Sequence, residues 1–262
     1  MILDKKTFQN DPPKKKIKFI LDLLNSNKLT EATKEIKKQL TIYPKSPVLF
    51  NILGAVFAGQ NRLEDALTNY NESIKINPKY FQAYINLGVC MHKAGEIKEA
   101  IINYQKAIEI EPNHVDANFN LGNVYKQLRF FKKAQKQYEK VLKFNLNNAS
   151  AYNNLANTHK AQGNFSEAIN CYLKAIKLQP KHARAYHNLG NTYNQLGDYS
   201  KAIDSFKKSF EIQPLNLESL YNISDLERKI LGAETKNKIK EIMKIEGITK
   251  KDKAYGNFLY AK

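Results

Sequence analysis

Residues 81–114, FQAYINLGVCMHKAGEIKEAIINYQKAIEIEPNH, decide the fold. Apolar side chains recur at helical spacing in both halves, with Tyr84, Leu87 and Met91 in the first and Ala100, Tyr104 and Ala107 in the second. That periodicity predicts two amphipathic helices, each with one face to bury. Gly95 separates them at a turn, where a residue without Cβ can take a positive φ. Pro112 lacks a backbone donor and stops the second helix.

The same stretch repeats outward in both directions. Pro44, Pro78 and Pro112 stand 34 residues apart, as do Pro180 and Pro214, and Pro112 and Pro180 are separated by twice that interval. Units in this frame begin at Pro13, Pro47, Phe81, Val115, Ala149, Ala183 and Leu217. Position seven reads Phe19, Leu53, Leu87, Leu121, Leu155, Leu189 and Ile223; position eight, from the second unit to the sixth, reads Gly54, Gly88, Gly122, Ala156 and Gly190. Position twenty is alanine in six units, from Ala32 to Ala202. Position twenty-four reads Ile36, Tyr70, Tyr104, Tyr138, Tyr172 and Phe206. Small residues at positions eight and twenty let the two helices of a unit approach closely, and the aromatic column fills the space that remains. A fixed period of this length predicts stacked supersecondary units, each burying its apolar face against its neighbours.

The pattern resembles the tetratricopeptide repeat (TPR) family over roughly residues 13–230. The resemblance implies an all-α, right-handed TPR α-solenoid, a superhelix of antiparallel helix pairs. The expected organisation is an N-terminal extension (1–12), six TPR units (13–46, 47–80, 81–114, 115–148, 149–182, 183–216) and a divergent seventh unit with C-terminal capping helices (217–262). The first unit departs at Lys16 and Leu23. In the fourth, Arg129 replaces the turn glycine and Leu146 the proline, so a less regular turn and exit are expected. The seventh loses the pattern after Ile230, with Lys236 at position twenty. A helix carrying Ile239, Ile242 and Met243 on one face, stopped by Gly247, is expected there. Gly247–Asp252 then reads as a Thr249 N-cap with an acid three residues on, opening a last helix that leaves Phe258 and Leu259 exposed.

Composition narrows the function classes. The residues before Pro13 carry lysines but no apolar core of a secretory signal, and no stretch approaches the ~20 apolar residues of a membrane span, so a cytoplasmic location without membrane insertion is expected. Cys90 and Cys171 sit at different repeat positions without metal-ligand spacing. His114 and His182 occupy one inter-repeat position; His92, His159 and His187 lie on first helices, and none forms a metal-binding pair. His159, standing in for the unit's core tyrosine, reads as a packed, hydrogen-bonded imidazole. No phosphate loop, nucleophile elbow or paired acids are present. The expectation is a non-enzyme with no cofactor and no metal.

The informative residues lie on the first helices. In TPR arrays, positions two, five, six, nine, twelve and thirteen line the concave groove. Position six reads Asn86, Asn120, Asn154, Asn188 and Asn222; position nine adds Asn123, Asn157 and Asn191, and position five Asn51 and Asn153. A carboxamide offers donors and an acceptor, so such a ladder can hold the main chain of an extended peptide. It is similar to the ladder of the O-GlcNAc transferase TPRs, which implies peptide contacts for the position-six asparagines. The same residues could instead serve packing within or between repeats. Lys93, Lys126, Lys160, Arg184 and Arg228 make the groove mildly basic against Asp116, Glu218 and Asp225, so an acidic peptide or protein partner is expected. The set that grips C-terminal carboxylates in chaperone-binding TPR domains is not supplied by any three successive units: Phe119 stands at position five beside Asn123, and Arg184 and Asn188 where Lys and Arg are required. The formal net charge is +17. Lysines such as Lys38, Lys106, Lys140, Lys174 and Lys208 spread over the convex side, which argues for a solvated basic surface over a nucleic-acid stripe. The reading is a protein-interaction scaffold. Its alternative is the substrate-recruiting portion of a glycosyltransferase or sulfotransferase, because the last helix resembles the junction in TPR-containing sulfotransferases. The partner, the peptide motif and the oligomeric state are left open by the sequence.

Overall fold

The computed structural model describes residues 10–227 and 233–261, and among them every regular element is helical. The backbone packs into two compact units, one ending at Leu128 and one starting at Arg129. The first holds α1 (Lys14–Asn25), α2 (Leu29–Ile42), α3 (Pro47–Gly59), α4 (Leu63–Ile76), α5 (Phe81–Ala94), α6 (Ile97–Ile110) and α7 (Val115–Gln127). The second holds α8 (Phe131–Phe144), α9 (Ala149–Ala161), α10 (Phe165–Leu178), α11 (Ala183–Gln195), α12 (Tyr199–Ile212), α13 (Leu217–Glu227), α14 (Ala233–Lys244) and α15 (Lys250–Ala261).

The hairpins α3/α4, α5/α6, α9/α10 and α11/α12 each close on one contact, a small residue on the first helix against a ring on the second. A Cβ built on Gly54 would stand 2.6 Å from the Tyr70 ring, one on Gly88 2.8 Å from Tyr104, and one on Gly190 2.7 Å from Phe206. These rings are fully buried, so they have little room to yield. The first hairpin solves the same space differently, with Ile20 and Ile36 sharing it, both fully buried. The position-seven side chain then packs on the ring of the preceding repeat, as Leu189 does beside Tyr172 and Ile223 beside Phe206. Phe19 has no preceding repeat among the described residues. Contrary to its place in the core column, it is 49% exposed.

Position fifteen takes a left-handed backbone in all six hairpins, at Asn27, Asn61, Gly95, Arg129, Gly163 and Gly197. Arg129 (φ 61°) therefore preserves the turn that its side chain was expected to disturb, and α8 still ends at Phe144 without the proline. The next helix starts on a polar cap in most repeats. Ser46, His114, Asn148, His182 and Asn216 each accept from the backbone N–H three residues on, satisfying donors that a helix start leaves unpaired. His114 and His182 are thus N-caps through Nδ1.

At the end of the chain, Ile239 of α14 is buried with Leu217 and Leu259, beside Met243 and Ile242. Helix α14 stops at Lys244, and Gly247 takes φ 91° in the turn that follows. Thr249 caps α15 by accepting from Asp252 N–H at 3.0 Å. Leu259, expected to be exposed, is buried, because α15 lies against both α13 and α14; Phe258 is exposed. The pattern break at Ile230 lies outside the described residues. Cys171 is half-buried and Cys90 buried, and both are free thiols.

Gly88→Ala should cost about 1–3 kcal/mol by overpacking Tyr104, read as a shift in the urea midpoint. Ala156→Gly, which deletes the Cβ packed in the Tyr172 cluster at the same position, tests the same contact from the other side and should shift it by less than Gly88→Ala.

Candidate functional site

Positions two, five, six, nine, twelve and thirteen of the first helices carry 12 of the chain's 29 asparagines. Helix α3 sets its character at the N-terminal side, with Asn51 buried at position five and Ile52 buried at position six. Position six is half-buried at Asn86, Asn120, Asn154, Asn188 and Asn222, so these carboxamides are held by their neighbours yet reach the surface.

Their hydrogen bonds divide them into two kinds. Asn86 Nδ2 donates to Asn51 Oδ1 of the preceding repeat at 2.9 Å, and Asn188 Nδ2 donates to Asn153 Oδ1 at 3.1 Å. Both pairs link position six to position five of the repeat before, 35 residues earlier. Where position five is not asparagine, the bond cannot form: Ile85 precedes Asn120 and His187 precedes Asn222. The side chains of Asn120 and Asn222 make no hydrogen bond with the described residues. Asn154 accepts from Asn153 Nδ2 at 3.4 Å.

The position-nine row is turned inward. Asn157 Oδ1 accepts from the Tyr172 hydroxyl at 2.6 Å, and Asn191 Nδ2 stands 2.9 Å from His187 Nε2. The row therefore does packing work that its sequence reading did not assign. Asn123, on α7, is half-buried in the same register. His159 is also corrected: its Nδ1 is buried and has no hydrogen-bond partner.

Cations border the face. Lys93 and Arg184 are exposed. Lys126 and Lys160 are half-buried, and burial pushes both ammonium groups below the ordinary lysine value. No carboxylate of the described residues pairs with Lys160. Arg228, the last of the basic groove residues, lies outside the described residues.

A polar cluster closes the second unit. His187 Nδ1 lies 2.8 Å from Ser219 Oγ and its Nε2 3.7 Å from Glu218 Oε2. Glu218 also accepts from Lys251 Nζ at 2.6 Å and from the Tyr255 hydroxyl at 3.2 Å. Asn191 donating to Nε2 fixes a neutral ring whose Nδ1–H donates to Ser219. Burial, with Lys251 and Lys160 nearby, holds the imidazole below its usual value against the pull of Glu218. Burial would raise the Glu218 carboxyl, but the Lys251 bond and His187 outweigh it and hold it low. The sequence reading treated Glu218 only as an acidic exception and missed this cluster, because Lys251 and Tyr255 lie beyond the regular repeats. The 35-residue Asn–Asn pairing, by contrast, was a readable spacing.

Matches to known proteins agree with this architecture. A family model described as "Tetratricopeptide repeat" matches residues 113–181 and 147–214, and one described as "TPR repeat" matches 54–95 and 91–128. Together they run without a gap from residue 54 to residue 214, well over half the chain. The chain belongs to the tetratricopeptide repeat family, and its fold class is the all-α TPR solenoid. No curated protein matches its sequence. Among solved structures, a tetratricopeptide repeat protein from Parabacteroides merdae aligns with TM-score 0.71 and 20% identity, over 95% of this chain and 98% of its own. YrrB, described as a TPR protein with an unusual peptide-binding site, aligns with TM-score 0.61 and 23% identity, over 71% of this chain and 96% of its own. MamA from Desulfovibrio magneticus aligns with TM-score 0.60 and 20% identity, over 65% and 96%.

Two outcomes follow. Asn188→Ala should cost about 1 kcal/mol, because it removes an inter-repeat hydrogen bond and strands Asn153, whereas Asn120→Ala should leave the urea midpoint within about 0.5 kcal/mol of wild type. His182, its imidazole pushed below the ordinary 6.5 by burial and by Arg184, and His187 both bind protons less readily folded than unfolded. Their contribution is full above about pH 6.5 and is lost as pH falls through the folded values. Urea midpoints at pH 7.5 and 5.5 should differ, and His182→Asn, which keeps a side-chain cap as Asn148 does, should narrow the difference.

Proposed function

We propose that this chain is a non-catalytic interaction scaffold that holds an extended peptide segment in the groove formed by its first helices. The observation that carries the reading is the pair of unengaged carboxamides, Asn120 and Asn222, standing in register with asparagines that are interlocked. Packing accounts for Asn86 and Asn188. It gives no reason for an asparagine at the two positions where the partner is Ile85 or His187. A half-buried carboxamide with both donor and acceptor unmet suits a peptide N–H and C=O.

The chemistry of the bound segment follows from the cations. Lys160 is partly desolvated and has no carboxylate beside it, so an acidic side chain of the ligand restores what burial removed. Asn123, Asn153, Asn154, Asn157 and Asn191, together with Lys93, Lys126 and Arg184, complete the proposed face. The likeness of fold to YrrB and MamA fits this class of function, with the partner a protein or peptide of acidic character.

Random dodecapeptides displayed on phage can be selected against the wild-type chain and the affinities of the winners measured by calorimetry. Asn120→Ala and Asn222→Ala should each weaken a peptide that spans that residue by about three- to tenfold, the worth of one hydrogen bond. Lys160→Gln should act on acidic peptides alone. Affinities unchanged by all three substitutions would overturn the reading.

A further inference from the structure

One outer helix differs from all the others. On α8, Lys132, Lys133, Lys136, Lys140 and Lys143 occupy repeat positions eighteen, nineteen, twenty-two, twenty-six and twenty-nine. At 3.6 residues per turn these five positions fall within an arc of about 100°, on the side opposite the buried Ala134, Tyr138 and Leu142. The same five positions carry a net charge between −2 and +1 on α2, α4, α6, α10 and α12. There, cations are balanced within the stripe, as in Lys75–Glu72, Lys106–Glu109 and Lys208–Glu211. On α8 the stripe is five lysines, and Lys132, Lys136, Lys140 and Lys143 make no ion pair among the described residues.

Like charges three and four residues apart destabilise a helix, so folding gives no reason to gather them here. Apolar groups flank the stripe at both ends: Phe130 is 51% exposed, Phe144 47% and Leu146 68%. They belong to the same surface as the charges, since Lys133 Nζ lies 5.4 Å from the Phe130 ring centre and Lys143 Nζ 5.9 Å from that of Phe144. Lysines spread over a helix's outer face, with an aliphatic and two aromatic side chains at its rims, match an anionic lipid surface. The ammonium groups meet headgroup phosphates while the apolar groups enter the interface. A nucleic acid would use the charges but has no use for Leu146.

We infer that the outer face of α8 is a peripheral docking surface for anionic lipid bilayers, independent of the peptide-binding reading of the first helices. The full chain is tested by flotation with phosphatidylcholine vesicles, with and without about 30% phosphatidylglycerol. Wild type should float with the anionic vesicles only, and less as salt rises. Lys132→Gln/Lys136→Gln/Lys140→Gln should lower partitioning about a hundredfold, since each lysine at such a surface contributes about fivefold. Phe144→Ser/Leu146→Ser should lower it as well. Lys37→Gln/Lys38→Gln/Lys177→Gln removes the same charge from exposed sites elsewhere and should change it less than fivefold. The substituted positions are exposed except Lys140, which is half-buried, and circular dichroism checks that all variants stay helical. An equal loss in the second lysine triple would assign the attraction to net charge and overturn the inference. So would absence of flotation, or tighter binding of polyuridylate than of anionic vesicles.

Discussion

The contact between a small residue on the first helix and a ring on the second is the constraint from which the rest of this structure follows. Tyr70, Tyr104, Tyr138, Tyr172 and Phe206 are the largest fully buried side chains. Gly54, Gly88 and Gly190 leave room for the ring of their own repeat and no more. Tyr70, Tyr172 and Phe206 also seat the position-seven side chain of the next repeat, so one residue closes a hairpin and joins it to its neighbour. What must be conserved in shape is the sum of the two volumes, which is why Ile20 with Ile36 can replace a glycine with an aromatic ring. Stability of this kind is local and additive along the repeats.

Because the core is settled by these positions, the outward faces of both helices are released from packing and can differ between repeats. On the first helices that freedom is partly taken up by carboxamide pairs. One residue type does two jobs there. Asn86 and Asn188 tie adjacent repeats, while Asn120 and Asn222 stand in the same register with no hydrogen-bond partner among the described residues. The identity of position five of the preceding repeat decides which job each performs. On the second helices the same freedom shows as charge, balanced on most of them and strongly positive on α8, where Glu139 is the one acid against five lysines.

Much of this was legible in the sequence, and the failures have physical causes. The 34-residue frame, the paired helices and the turns are local and periodic, so Tyr84, Gly95 and Pro112 sufficed to read them. Position fifteen was legible at Gly95, Gly163 and Gly197, but Asn27, Asn61 and Arg129 take the same positive φ with a side chain in place. Phe19 and Leu259 were misread because burial depends on what lies next door. Phe19 has no preceding ring among the described residues, and Leu259 gains α13 and α14. The asparagine ladder was legible as a pattern, and so was the 35-residue spacing of Asn51 to Asn86 and Asn153 to Asn188, but the spacing alone does not say that the side chains bond across it. The Glu218 cluster was invisible because it draws Lys251 and Tyr255 from outside the regular repeats.

The central claim is recognition of peptide main chain by open carboxamides, and it is tested most directly by removing main-chain hydrogen-bond donors from the ligand. A dodecapeptide selected on the wild-type chain is compared by calorimetry with versions N-methylated at one residue at a time. The account predicts a loss of about tenfold at the one or two peptide N–H groups that face Asn120 or Asn222, and no further loss at those sites when the matching asparagine is already alanine. N-methylation without effect at every position, in a peptide that still binds, would show recognition by side chains alone and contradict it.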